Sequence, residues 1–217
     1  KDGFSKDNLD ISSVCDQALE YLKGDKEQRI LGLKIFCEYR DKRSFPLLLP
    51  LLDQSCPVER MSAVYALGRN PCPDAVSKLV SLLEFDDNAY VRRATAWSLA
   101  NYDNQIVLLP LIKALQNDVS SVRLWASSSL AEIGNISNDN AQLAADQLLV
   151  SLKIDNEPVV RSNCIWSLCR LYQNLSNKLQ ELFIDECTKI ALFDSEPSVM
   201  EEAKTALDSM GMRGFYK

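Results

Sequence analysis

The sequence predicts an all-α protein, a right-handed α-solenoid of five to six stacked helix pairs. The first observation behind this is an arginine that recurs as Arg29, Arg60, Arg92, Arg123 and Arg161, in steps of 31, 32, 31 and 38 residues; a weaker copy 39 residues further on carries Met200 instead. The second is that these positions share one phrase: ERMSAVYALG from Glu59, VRRATAWSLA from Val91, VRLWASSSLA from Val122, VRSNCIWSLC from Val160 and VMEEAKTALD from Val199. The third is an apolar stretch after each phrase, such as KLVSLL from Lys78 or LLVSL from Leu148. Self-similarity at this period marks stacked repeats, because one helix pair cannot hide its apolar stripe alone.

Residues 87–116 show how one copy is built. Asp87 is expected as the N-cap of the first helix, with Asp118, Asn156 and Ser195 in the same place further on. That helix is predicted from about Tyr90 to Asn101, with Val91, Thr95, Ser98 and Leu99 on its buried face. Small residues recur on this face: Ala63 and Ala66, Thr95 and Ser98, Ala126 and Ser129, Cys164 and Ser167, Ala203 and Ala206. They allow neighbouring helices to approach closely, and the leucine that follows (Leu67, Leu99, Leu130, Leu168, Leu207) fills the remaining space. A second helix is predicted from about Ile106 to Gln116. Pro110, like Pro46 earlier, falls near its start, where a missing N–H costs least.

The first copy, KEQRILGLKIF from Lys26, lacks the valine and alanines, and the last lacks the arginine; atypical terminal copies are expected of caps. The predicted organisation is a polar segment and capping helix over 1–24, one solenoid domain over 25–211 and a tail over 212–217. Copies four and five are longer by about seven residues. Their GNISNDNAQ (from Gly134) and YQNLSNKLQ (from Tyr172) read as longer loops at one edge of the stack, where binding rims often form.

Composition narrows the function classes. The net charge is −6 with no block of Lys or Arg, which argues against nucleic acid as a partner because phosphate neutralisation needs clustered cations. No apolar run reaches the roughly 18 residues of a membrane span, and the opening KDGFSKDNLD is polar rather than basic-then-apolar. Histidine is absent, which removes the commonest general base and imidazole metal sites. The seven cysteines are odd in number, irregularly spaced and without a CxxC, so neither a disulfide framework nor a metal site is signalled. Cys37 and Cys72, near the ends of neighbouring first helices, are the closest to a pair. A reducing, cytoplasmic setting is expected, or the chloroplast stroma if a transit peptide is removed.

The phrase D-x-x-x-V-R-x-x-A-x-x-A-L-G followed by a P-L-[IL]-x-x-L helix resembles the HEAT repeat, and more narrowly the short version of phycobilisome-lyase-type HEAT proteins. Residues 87–134 carry it best: DNAYVRRATAWSLA, PLIKAL and DVSSVRLWASSSLAEIG. The resemblance implies an armadillo-like superhelix from a cyanobacterium or plastid. It also implies a choice of roles: a non-catalytic scaffold or chaperone-like adaptor for a partner protein, a bilin lyase or lyase subunit that attaches a tetrapyrrole, or the partner of an iron–sulfur carrier. The residues themselves favour the adaptor, since no catalytic residue and no cofactor is marked apart from the bilin of the second role.

Candidate site residues fall into three sets. Tyr65, Trp97 and Trp166 share one register five residues after their arginines, on the side away from the buried face, with Trp125 nearby. With Arg93 placed for a cation–π contact to Trp97, they are read as an aromatic ledge for a planar or apolar partner, against the alternative of packing between adjacent repeats. Gln105, Lys113 and Gln116 are the candidates on the second helices, which are expected to line a concave binding face. The recurring arginines are assigned a structural role, each reaching an acceptor in the preceding repeat.

Overall fold

The computed structural model describes residues 6–212 and 214, and every regular element among them is helical. In chain order these are α1 (Lys6–Tyr21), α2 (Lys26–Glu38), α3 (Phe45–Leu48, continued as a 3-10 turn over Leu49–Asp53), α4 (Pro57–Arg69), α5 (Val76–Phe85) and α6 (Ala89–Leu99). They are followed by α7 (Leu108–Asn117), α8 (Ser120–Gly134), α9 (Asn138–Ile154), α10 (Pro158–Leu171), α11 (Asn177–Phe193) and α12 (Pro197–Ser209). Residues 1–5 of the expected N-terminal segment, and 213 and 215–217 of the expected tail, lie outside the described residues.

The chain divides into two compact units, one ending at Tyr102 and one beginning at Asp103. In the first, α1 packs on α2, α2 on α4 and α4 on α6, while α3 and α5 cover α4 and α6 respectively. In the second, α8, α10 and α12 form one layer and α7, α9 and α11 the other. The small-residue face lies at the contacts between first helices. Ala63, Ala66, Thr95, Ser98, Ala126, Ser129, Cys164, Ser167, Ala203 and Ala206 are all buried, as are the five leucines that follow them. Each such leucine stabilises the fold by about 2 kcal/mol. Two hydroxyls on this face find carbonyls: Thr95 Oγ1 donates to Val91 O at 2.8 Å, and Ser167 Oγ crosses from α10 to Ser127 O on α8, also at 2.8 Å, whereas the buried Ser98 Oγ has no partner among the described residues.

The recurring arginines tie each turn between repeats to the next. In the first unit, Arg60 donates to the carbonyl of Gln54 in the turn before its helix (2.8 Å) and through Nε and Nη2 to both carboxylate oxygens of Asp86 in the turn after α5 (2.7 and 2.9 Å). The backbone carbonyl of Asp86 then accepts from Arg92 at 2.8 Å. In the second unit, Arg123 takes Asp118 O and the Asp155 carboxylate, and Arg161 takes Asp155 O and the Asp194 carboxylate, all within 2.7–3.0 Å. Arg29 follows suit with Gly24 O and buried Glu59. This corrects the expected direction: for Arg60, Arg123 and Arg161 the carbonyl lies behind, but the carboxylate lies ahead, in the turn that leads to the next repeat, and for Arg29 it is Glu59 in the first turn of α4.

Two further expectations are overturned. The N-cap of α6 is Asn88, whose side chain accepts from the amides of Tyr90 and Val91, not Asp87. The preceding aspartate is occupied differently: Asp86, Asp155 and Asp194 each accept the amide two residues on while holding their arginine. The extra residues of copies four and five are not long loops either. They lengthen the second helices to 17 residues in α9 and α11, from 10 in α5 and α7. Ser137 caps α9 by accepting from Asn140 N, and Ala141, Ala144, Ala145 and Leu148 then form a buried stripe at helical spacing.

Burial pushes the Asp86 and Asp194 carboxyls upward, but hydrogen bonds from Arg60 or Arg161 and from the local amide more than offset it, so both sit below the usual carboxylate range. Such groups contribute stability that is fully present above the unfolded pKa of about 4 and lost as pH falls through the lower folded value. Urea midpoints should therefore hold steady from pH 7 to 5 and fall below about pH 4. Arg161→Met, which leaves Asp194 buried without its cation, should lower the unfolding free energy at pH 7 by about 3 kcal/mol and flatten that acid-side drop; an unchanged midpoint would show that the pair contributes nothing.

Candidate functional site

The aromatic register behaves differently in the two units. In the first, Tyr65 on α4 and Trp97 on α6 are half-buried and pack on each other, with ring centroids 5.3 Å apart and planes tilted by 55°. A Cβ added at Gly68 would meet Trp97 Cζ3 at 2.4 Å, so this close seat for the indole requires glycine. Arg93 makes its cation–π contact with exposed Tyr90, 5.6 Å from the ring centroid, instead of the expected Trp97. In the second unit, Trp125 on α8 and Trp166 on α10 are exposed. The Arg170 guanidinium lies 5.1 Å from the Trp166 centroid and reaches back to Glu132 on α8 at 2.8 Å. The structure thus joins Tyr65 to Trp97 by packing and leaves Trp125 and Trp166 on the surface of first helices.

The second helices of the second unit present a more regular surface. α7, α9 and α11 end on C-cap aspartates in equivalent places, Asp118, Asp155 and Asp194. Twelve residues before each cap stands an exposed apolar side chain: Ile106 (58% exposed), Leu143 (49%) and Leu182 (39%). Nine residues before it stand exposed Leu109, Asp146 and Asp185. Asp146 and Asp185 make no hydrogen bond or ion pair among the described residues. Two neighbouring cations, Lys153 and Lys189, share the single carboxylate of Glu186, each at 3.7 Å.

The candidates Gln105, Lys113 and Gln116 lie on this side of the unit and are exposed. Gln105 Nε2 donates to Asn140 Oδ1 at 3.2 Å. Gln116 Nε2 donates to Gln147 Oε1 at 2.6 Å, and Gln147 Nε2 passes the chain to Ser151 Oγ at 3.2 Å. Gln116 and Gln147 edge a cleft of about 270 Å³ between the ends of α7 and α9, which Arg123 and Asp155 also line. Sequence reasoning missed Ile106, Leu143, Leu182, Asp146 and Asp185. The signal was their constant distance from the cap aspartates, which emerges only once the extra residues are read as helix.

The thiols offer little reactivity. All seven cysteines are free. Burial raises Cys37 and Cys169 to about 11 and pushes Cys164 and Cys187 up as well, which keeps them protonated as small core side chains. Cys56 alone is shifted down, by the Glu59 amide at the start of α4. Among the described residues no group of three or more His, Cys, Asp or Glu could hold a metal ion, and no helix is long and apolar enough to cross a membrane.

The geometry of helix pairs, buried small-residue faces and arginine-tied turns agrees with comparison to known proteins. The family model of HEAT repeats matches residues 15–100 and 76–169, more than half of the chain. The chain belongs to the HEAT-repeat family. Among solved structures it is similar to a designed armadillo repeat protein, at a TM-score of 0.63 and 20% identity, covering 89% of this chain and 98% of that one. A second designed armadillo repeat protein, solved in complex with the peptide (KR)4, matches at 0.60 and 21% identity over 99% and 96% of the two chains. A chain from the structure describing how Kap95p binding induces the switch loops of RanGDP to adopt the GTP-bound conformation matches at 0.64 and 14% identity, over 100% of this chain and 32% of that one. Comparison with curated protein sequences finds no match. The solved structures establish an α-solenoid of HEAT and armadillo type.

In this HEAT protein the two tryptophan settings give separable outcomes. Trp97→Ala, which empties the seat between Tyr65 and Gly68, should cost about 3 kcal/mol in denaturant unfolding. Trp166→Ala, on an exposed position, should cost under about 1 kcal/mol. Gly68→Ala should displace the indole and alter the intrinsic fluorescence; an unchanged spectrum would refute the seating.

Proposed function

We propose that this protein is a non-catalytic scaffold or adaptor that docks a partner protein on the second helices of its second unit. The observation that carries the reading is an exposed apolar side chain twelve residues before each cap aspartate: Leu143 on α9, Leu182 on α11 and Ile106 in the 3-10 turn that leads into α7. Such a surface on rigid, mutually tied repeats incurs little ordering cost when it binds. A related fold holding a peptide, as in the designed armadillo complex with (KR)4, supports a protein or peptide as the class of ligand. The finer assignment, an adaptor of a phototroph's cytosol or stroma akin to phycobilisome-lyase-type proteins, rests on the sequence resemblance alone. The bilin-lyase alternative would lean on the aromatic ledge with Arg93, but Trp97 is packed against Tyr65 and Gly68 and Arg93 faces Tyr90, which leaves only Trp125 and Trp166 of that ledge exposed.

The test is site-specific photo-crosslinking in a lysate of the source cells. A photoreactive residue at position 143 or 182 should trap the same partner protein, whereas one at Thr205, exposed on first helix α12, should trap none. Adducts formed only from position 205 would move the binding surface to the first helices and sink the proposal.

A further inference from the structure

We infer that the corner of the first unit where α2 and α4 end binds a phosphate monoester borne by a small apolar group. The site is separate from the docking role just proposed and does not depend on it. Its starting point is a cavity of about 300 Å³ lined by Arg40, Asp41, Lys42, Phe45, Asn70 and Pro71. Asn70, buried just past the end of α4, frames it. Its side chain accepts from Asp41 N at 2.8 Å and donates to Phe36 O at 2.8 Å and Tyr39 O at 3.1 Å, so the loop that carries Arg40 and Lys42 is tied to the next first helix. Other residues already meet the structural needs of this corner. Carbonyls at the end of α2 accept from Asn70 and, at Glu38 O, from Arg69 Nε (3.1 Å). The Asp41 carboxylate is held by Arg43 through Nε and Nη2 at 2.6–3.1 Å, and Arg43 also takes Asp16 at 2.7 Å. Glu38 and Asp74, the other acids of the corner, do not line the cavity. Arg40 and Lys42 are therefore exposed cations on one concavity that make no hydrogen bond or ion pair among the described residues.

The chemistry of this pair selects the ligand. Two unpaired cations beside one cavity match a dianion; a single carboxylate would leave one of them unmet. A phosphate monoester carries about −1.5 to −2 charges at pH 7 and three acceptor oxygens. The Arg40 guanidinium offers a planar fork that fits phosphate oxygens, and the Lys42 ammonium adds a point charge. Half-buried Phe45 and Pro71 supply an apolar wall for the group that bears the phosphate. The volume stands at the lower end of the ~300–1,000 Å³ of small-molecule sites, so that group is small. A free phosphorylated small molecule and a phosphorylated protein side chain share this chemistry.

The experiment titrates the isotope-labelled full chain with phenyl phosphate, inorganic phosphate, benzoate and the tripeptide Gly-phosphotyrosine-Gly, read by amide chemical shifts. Phenyl phosphate should give saturable shifts centred on residues 40–45 and 70. It should bind at least tenfold more tightly than benzoate and at least threefold more tightly than inorganic phosphate. Arg40→Gln with Lys42→Gln should weaken phenyl phosphate at least tenfold, whereas Lys34→Gln with Lys178→Gln, exposed cations elsewhere, should leave it unchanged. Circular dichroism of each variant checks that the helices persist. The tripeptide separates the two sources: binding tighter than phenyl phosphate assigns the phosphate to a protein, equal or weaker binding assigns it to a free small molecule, and either result upholds the monoester. Benzoate or inorganic phosphate binding as tightly as phenyl phosphate overturns the inference. So does an equal loss in both double variants, or the absence of saturable shifts at this corner.

Discussion

The bond that Arg60, Arg123 and Arg161 each make to the aspartate of the turn ahead is the constraint on which the rest of each unit depends. A guanidinium has donors on several edges, and here those edges are divided between a carbonyl behind and a carboxylate ahead. Both groups belong to turns, where backbone polar atoms lack the partners that a helix supplies. One side chain therefore satisfies turn carbonyls, neutralises a buried aspartate and fixes the distance between successive helix pairs. The desolvation this entails is offset because the geometry is bidentate and one carboxylate oxygen also accepts a local amide. Small residues on the first helices then do the rest, since a helix held at that distance needs slim side chains to fit.

With the turns fixed, whatever varies is pushed elsewhere. The two lengthened copies put their extra residues at the beginning of α9 and α11, far from the tied ends, so the register at the C-caps is undisturbed. That is why Leu143 and Leu182, contributed by the added turns, line up with each other. The proposed docking surface is a by-product of growing helices away from a fixed edge.

Much of the fold was legible in the sequence, because the arginine and the small-residue face recur with little variation and their chemistry is specific. Helices α6 and α7 begin and end within two residues of where periodicity places them, apart from the 3-10 turn over Gln105–Val107 that opens the second. The partner carboxylate was harder to read. Measured from the arginine behind, Asp86, Asp155 and Asp194 lie at unequal distances, because second helices differ in length; only from the following repeat position is the spacing constant at six. The added segments misled for a compositional reason. Asn and Ser favour turns in isolation, but in NDNAQLAADQ the alanines and leucine at helical spacing prevail, and Ser137 becomes the cap instead of the loop. The aromatic register was visible, yet a helical wheel does not reveal that Gly68 on the neighbouring helix α4 leaves a seat for Trp97.

Asp155 serves two masters: its side chain belongs to Arg123 and its carbonyl to Arg161. Asp86 is shared in the same way between Arg60 and Arg92. Because each such residue is the hinge-pin of two modules at once, excising or transplanting one module severs a joint on either side of the cut. Grafts and recombination within this array should thus succeed in blocks that carry their bridging aspartate along with both arginines, which makes the natural unit of exchange larger than the unit of repetition.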